Sequence, residues 1–229
     1  MYTLVLLRHG QSTWNAEQRF TGWTDVPLTE RGADEARNGG KALAAEQLEP
    51  DVVHTSLQVR AIKTAELTLG EMGRTWLPVR RHWRLNERHY GALEGFTHAE
   101  IEERHGAEAV HRWRRSYDVR PPALDPGDPR HPSHDARYAD LAPDVLPATE
   151  CLADVLDRLL PYWYDVIVAD LRTGARVLVV AHGNSLRAMV KHLERISDAD
   201  IPGLEIPTGV PIRYQLDRHL AVADRAELR

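Results

Sequence analysis

The sequence predicts an α/β layered fold, a three-layer α/β/α sandwich around a mostly parallel central sheet. Two continuous apolar runs, within "YTLVLLRHG" near the start and "RVLVVAHG" at 176–183, each end in a His-Gly pair. Such runs, without polar alternation, are the pattern of strands covered on both faces. Apolar repeats of threes and fours lie between them, and strands alternating with helices imply a layered, largely parallel arrangement. At 229 residues, 42% hydrophobic and 28% charged, the chain suits one large soluble domain with a substantial core.

Each element follows in order. Residues 2–8 read as a buried strand. A helix is expected from about Thr29 to Gln47, a weaker strand at 51–56, and a helix from about Val59 to Leu69. A lid or insertion is expected at about 88–147. Within it, residues 118–147 hold seven of the 14 prolines and little periodicity, which predicts a long ordered loop. Leu152, Val155, Leu156, Leu159, Leu160, Trp163, Val166 and Ile167 share one helical face behind a capping Thr149, and Pro161 inside that stretch predicts a kink. The second apolar strand follows, then a helix from about Ser185 to Arg195, a strand at 211–216, and a short C-terminal tail from about 217.

Composition narrows the function classes. The net charge is −5 and the basic residues are spread, so no nucleic-acid footprint stands out and any anion must be bound by a local site. The single cysteine, Cys151, excludes an internal disulfide framework and fits a reducing, cytoplasmic setting. It reads as a small, half-buried apolar side chain. The run Leu4 to Leu7 is too short for a signal-peptide core or a membrane span, so no membrane partner is expected. His131 and His134 lack a third ligand, and no metal is expected.

Ligands of open α/β sheets collect beyond the carboxyl ends of the strands, where both His-Gly pairs fall. In "RHGQSTWN", His9 can act as a nucleophile towards phosphorus and Arg8 offers a planar fork of donors for phosphate oxygens. Gly10 lets backbone amides approach an anion, and Ser12 and Asn15 add neutral donors. In "AHGNSLRAMV", His182 precedes Gly183, Asn184 and Ser185 at a helix start, where free amides attract anions. Together the two strand ends suggest one phosphate held between two imidazoles. Arg60 follows a strand near a helix start, a place equally suited to a solvated surface cation. Glu87, in "RLNERHYGALEG", is a candidate general acid/base, with a surface pair to Arg84 or Arg88 as the alternative.

These residues resemble the cofactor-dependent phosphoglycerate mutases, a branch of the histidine phosphatase superfamily. The matching stretches include "LVLLRHGQSTWNAEQRFTGWTDVPLTERG", "TSLQVRAIKTAE", "RLNERHYGALEG", "HRWRRSYDVRPP", "AHGNSLRAMVKHLE" and "EIPTGVPIRYQLD", in the family's order from Leu4 to Asp217. The resemblance implies a phosphoglycerate mutase-like fold with His9 as the phosphorylated nucleophile. Arg8, Arg60 and His182 would hold the phosphoryl group, and Glu87 would be the proton donor and acceptor. Asn15, Thr21, Gly22, Gly183 and Asn184 would complete the pocket, and Tyr90, Arg114 and Arg115 would clamp the far end of the substrate. The implied reaction interconverts 3-phosphoglycerate and 2-phosphoglycerate, with 2,3-bisphosphoglycerate priming the histidine and no metal. A homo-oligomer, dimer or tetramer, is also implied.

The chain departs from that pattern at "GFTHAE", 95–100, where the family usually carries a substrate-binding lysine in place of His98. Histidine, with an unperturbed pKa of about 6.5, is mostly neutral at pH 7. Glu94 stands where glutamine is usual. Thr97 and Glu100 form a predicted capping box that puts His98 in a first helical turn, where the dipole disfavours its cation, whereas Glu94, if near, favours it. The departure predicts weaker substrate binding or a different small organic phosphate. A histidine phosphatase or specialised paralogue is therefore the second function, and a non-catalytic phosphate-binding regulator the third.

Overall fold

The computed structural model describes all 229 residues. Its strands are β1 (Tyr2–Arg8), β2 (Val52–Thr55), β3 (Val79–Arg81), β4 (Val177–Ala181), β5 (Pro211–Leu216) and β6 (Val222–Glu227), joined in one sheet in the order β3-β2-β4-β1-β5-β6. The first four run parallel, and β5 and β6 add an antiparallel hairpin at one edge. The helices are α1 (Thr13–Ala16), α2 (Glu30–Ala45), α3 (Val59–Glu71), α4 (His98–His105), α5 (Ala107–Arg115), α6 (Leu152–Tyr162), α7 (Val168–Arg172) and α8 (Gly183–Glu194).

The layering follows from the apolar runs. Side chains alternate along a strand, so a run without polar residues supplies both faces. Leu4, Leu6, Val177 and Val179 join a core cluster with α6, α7 and α8, whereas Val5, Leu7, Leu178 and Val180 join another with Leu43 of α2 and Ala65 and Leu69 of α3. Helices therefore cover both faces of the sheet. His54 of β2 ties the sheet to the first helical layer, with its Nδ1 2.9 Å from the Tyr162 hydroxyl and its Nε2 3.0 Å from the Asp170 carboxylate.

Several elements differ from expectation for local reasons. Residues 222–227, within the expected tail, form β6, which pairs with β5 and carries three charged residues, Asp224, Arg225 and Glu227, suited to an edge. The helix near 152 is capped at Cys151, whose amide and Sγ both donate to Asp154, while the Thr149 hydroxyl bonds the Pro121 carbonyl. Pro161, lacking an N–H, sits in the last turn of α6, and the chain widens at once into a π turn over Trp163–Ile167 before α7. The 88–147 excursion holds α4 and α5. Its proline-rich part has neither α-helix nor strand, only three single 3-10 turns, with Tyr138 buried against Trp23.

One pairing positions the site. Arg8 is in register with Ala181, and the His9 amide donates to the Ala181 carbonyl at 2.9 Å. Adjacent parallel strands thus release His9 and His182 side by side at the carboxyl edge of the sheet.

Candidate active site

His9 is 2% exposed, and its Nδ1 lies 2.7 Å from the Gly10 carbonyl. A carbonyl only accepts, so Nδ1 carries the proton and Nε2 keeps its lone pair. Burial, reinforced by the Arg60 and Arg8 cations, holds the His9 pKa well below the usual 6.5, so the imidazole is neutral at pH 7. The His182 ring stands edge-on to it, with centroids 4.9 Å apart and planes at 64°. Burial, then Arg60 and His9, depress the His182 pKa in the same way. His182 Nε2 lies 2.8 Å from the Ser56 hydroxyl at the end of β2, and its buried Nδ1 has no partner.

Two guanidinium groups flank the imidazoles. Arg8 donates one Nη to the Ile206 carbonyl at 2.8 Å and leaves a buried Nε unpaired. Gly183 lies against it, since a Cβ there would come within 3.4 Å of the guanidinium. Arg60, 1% exposed, donates to the carbonyls of Gly22 (2.8 Å) and Thr24 (3.0 Å). Burial lowers the pKa of both arginines, and Glu87 is the largest charge opposing that effect. The arginine at 60 is thus an interior cation and not a solvated one.

The loop that holds Arg60 is itself built on Glu94. That carboxylate is 1% exposed and accepts from the amides of Trp23, Thr24 and Tyr90 and from the Thr24 hydroxyl, at 3.0–3.3 Å. Gly22 has φ +56°, and a Cβ there would fall 1.7 Å from a Glu94 oxygen. Gly22 therefore supplies a carbonyl and clearance behind the pocket wall. Ser12, also fully buried, caps α1 in a reciprocal box with Asn15, which does reach the cleft.

Glu87 Oε1 accepts from its neighbour's amide at Arg88 (2.8 Å) and from the Asn184 amide at the start of α8 (3.0 Å). Its second oxygen makes no hydrogen bond with the protein. The Tyr90 hydroxyl accepts from Arg88 (2.9 Å) and from the Asn184 side chain (3.2 Å), so its own proton is left for a ligand. Burial is the largest influence on Tyr90 and raises its pKa, but the Arg88 cation together with the hydrogen bonds from Arg88 and Asn184 outweighs it, and the net shift is downward.

The far end of the cleft is formed by His98, Arg114 and Arg115 with Arg187. His98 is the first residue of α4, behind the Thr97–Glu100 capping box, and its ring meets Phe20 edge-on at 4.6 Å. Burial, and then the Arg114 cation, push its pKa down to about 4. Glu94, engaged by backbone amides, does not offset this, so the imidazole adds no positive charge at pH 7. Arg88 and Arg187 fasten the end of α5: Arg88 donates to the Arg114 carbonyl at 2.8 Å, and Arg187 to the Arg115 carbonyl at 3.2 Å and to Asn184 at 2.9 Å. Arg114 makes no ion pair, whereas Arg115 meets Glu205 at 2.8 Å.

The cleft has a volume of about 900 Å³. Arg8, Asn15, Thr21, Glu87, Tyr90, His98, Arg114, Arg115, Gly183 and Asn184 line it, whereas His9, Arg60 and His182 are buried and do not line it, His9 and His182 each adjoining a lining residue, Arg8 and Gly183, in sequence; Ser12 and Gly22 do not line it either. Sequence reasoning missed Arg187, Ser56 and the role of Glu94. Arg187 sits four residues after Gly183 on the same helical face, a spacing that marks it out. His131 and His134 fall outside this cleft, and no group of three metal-binding side chains occurs in the structure.

A neutral buried imidazole with a free nitrogen, between arginines and beside a second imidazole, is the equipment of phosphoryl transfer through histidine. The chain matches the model of the histidine phosphatase superfamily (branch 1) over residues 4–132 and 125–222, and it belongs to that family. It is similar to the 2,3-bisphosphoglycerate-dependent phosphoglycerate mutases of Streptomyces avermitilis, at 59% identity over 94% of this chain and 85% of that protein, and of Thermobifida fusca, at 58% over 95% and 88%. Among solved structures, a protein described as mycobacterial hydrolase 1 aligns with TM-score 0.72 at 26% identity, over 93% of this chain and 91% of its own. A mycobacterial glucosyl-3-phosphoglycerate phosphatase with VO3 aligns with TM-score 0.73 at 24% identity, over 99% and 97%, a likeness of fold alone.

Proposed function

We propose that this chain interconverts 3-phosphoglycerate and 2-phosphoglycerate through a phosphohistidine primed by 2,3-bisphosphoglycerate. The observation that carries the reading is the free Nε2 of neutral, buried His9, beside the His182 ring and close to the Arg8 and Arg60 cations, next to a cleft that Arg8 and Gly183 line. His9 Nε2 attacks phosphorus, the P–N bond forms, and the ester P–O bond breaks. The cations and imidazole hold the three phosphoryl oxygens as charge develops on them. Glu87, through the oxygen that no protein donor engages, delivers a proton to the departing alkoxide oxygen; in the return step the hydroxyl on the neighbouring carbon attacks phosphorus, the P–N bond breaks, and Glu87 takes that hydroxyl's proton. Tyr90, Arg114 and Arg115 hold the carboxylate end.

The relatives at 58–59% identity named as phosphoglycerate mutases support this reading. The neutral His98 favours a second one, a histidine phosphatase acting on another small organic phosphate. Incubation with 3-phosphoglycerate and a trace of 2,3-bisphosphoglycerate separates the two. The mutase yields 2-phosphoglycerate, needs the primer and falls silent as His9→Ala. Release of inorganic phosphate without 2-phosphoglycerate overturns the mutase assignment.

A further inference from the structure

The distal end of the cleft carries its own anion. Glu205 stands on a short segment between the 3-10 turn Ile201–Gly203 and β5, fixed by the Arg8–Ile206 bond on one side and by the Gly209 amide bonding the Arg8 carbonyl at 3.0 Å. Its backbone is therefore anchored, while its side chain is 75% exposed over the cleft and meets Arg115 Nη2 at 2.8 Å. Arg115 makes one ion pair, with Glu205, and the cations beside it in the cleft lining include Arg114 and Arg187. Arg187 is turned to the Arg115 and Ile201 carbonyls and to Asn184. Glu205 is thus the one carboxylate paired with the clamp.

We propose that Glu205 is a specificity-determining residue, a built-in competitor that occupies on Arg115 the place of a substrate's distal anion. A ligand with a carboxylate at that end must displace Glu205, whereas a phosphomonoester without one need not. The site therefore favours distal anions less strongly than a free arginine pair would. The inference rests on the mutase reading for the orientation of substrate, with phosphoryl group at His9 and carboxylate at Arg114 and Arg115.

The test uses a matched pair of ligands, 3-phosphoglycerate and glycerol 3-phosphate, which differ in the carboxylate. Dissociation constants are measured by calorimetry on the full chain. Glu205→Gln should raise the preference for 3-phosphoglycerate over glycerol 3-phosphate by about three- to fivefold, the ceiling expected from removing one solvent-exposed ion pair. Glu205→Ala should do the same. In an Arg115→Ala background the Glu205 substitutions should leave that preference unaltered, because the residue acts through Arg115. A preference unchanged or lowered in the single variants, or raised equally with Arg115 removed, overturns the proposal. Failure of the wild type to make 2-phosphoglycerate counts against the mutase reading alone, since the preference is a binding measurement.

Discussion

Glu87→Gln separates proton transfer from architecture at the carboxylate that acts most strongly on the Arg8 and Arg60 cations. Glu87 Oε1 holds the Arg88 and Asn184 amides, and a glutamine carbonyl oxygen can hold both in the same place. The other oxygen makes no bond to the protein, so an NH2 in its place breaks nothing. What disappears is the transferable proton. General acid–base catalysis contributes about 10²- to 10⁴-fold, or about 3–5 kcal/mol of barrier, and kcat should fall by that factor with KM little changed. The assay is conversion of 3-phosphoglycerate coupled to a downstream enzyme, with phosphohistidine followed by rapid quench. p-Nitrophenyl phosphate supplies the internal comparison, because its leaving group departs as an anion without a proton. Phosphorylation of His9 by that donor should fall less than tenfold in the variant. A loss of the same size with both donors, or a mutase kcat within about fivefold of wild type, would refute the role of Glu87.

Three other outcomes are expected. Gly22→Ala places a methyl group against Glu94 at φ +56°, so it should cost on the order of 1–3 kcal/mol of stability and, by shifting the carbonyl that holds Arg60, depress activity more than melting temperature. Stability should decline as pH falls from 6.5 towards 4. An imidazole with a lowered folded pKa is protonated first in the unfolded chain, and buried His54, depressed to about 4 by burial, accounts for on the order of 3 kcal/mol over that window. A melting temperature that stays flat between those pH values contradicts a neutral His54. His98→Lys restores a fixed cation beside Arg114 and should lower the KM for 3-phosphoglycerate roughly three- to tenfold with kcat little altered, and an unchanged KM would refute the view that the neutral ring limits affinity.

The strands that end in His9 and His182 were readable because β1 and β4 are central and covered on both sides, so that 4–7 and 177–181 are unbroken apolar runs. Edge strands have no such constraint. β3 is three exposed residues, "VRR", and β6 reads "VADRAE", so neither shows the apolar run that marks a buried strand. The site divides along a similar line. His9, His182 and Glu87 announce themselves by residue type, whereas Glu94 works by accepting backbone amides from a loop distant in sequence, a relation that composition and spacing do not record. The sequence also left open whether Glu94 would charge His98. The fold answers by spending that carboxylate on Trp23, Thr24 and Tyr90.

The parallel pairing of β1 with β4 sets apart two jobs that a single cleft performs. The groups proposed to grip phosphorus are rooted in the sheet and its buried loops, so altering them disturbs the core. His98, Arg115 and Glu205 sit on half-open helix ends and one rim segment, where exchange of a side chain leaves the core intact. For a directed-evolution library the molecule is a fixed chemical head with an interchangeable grip, and three codons suffice to ask it for a different phosphate ester.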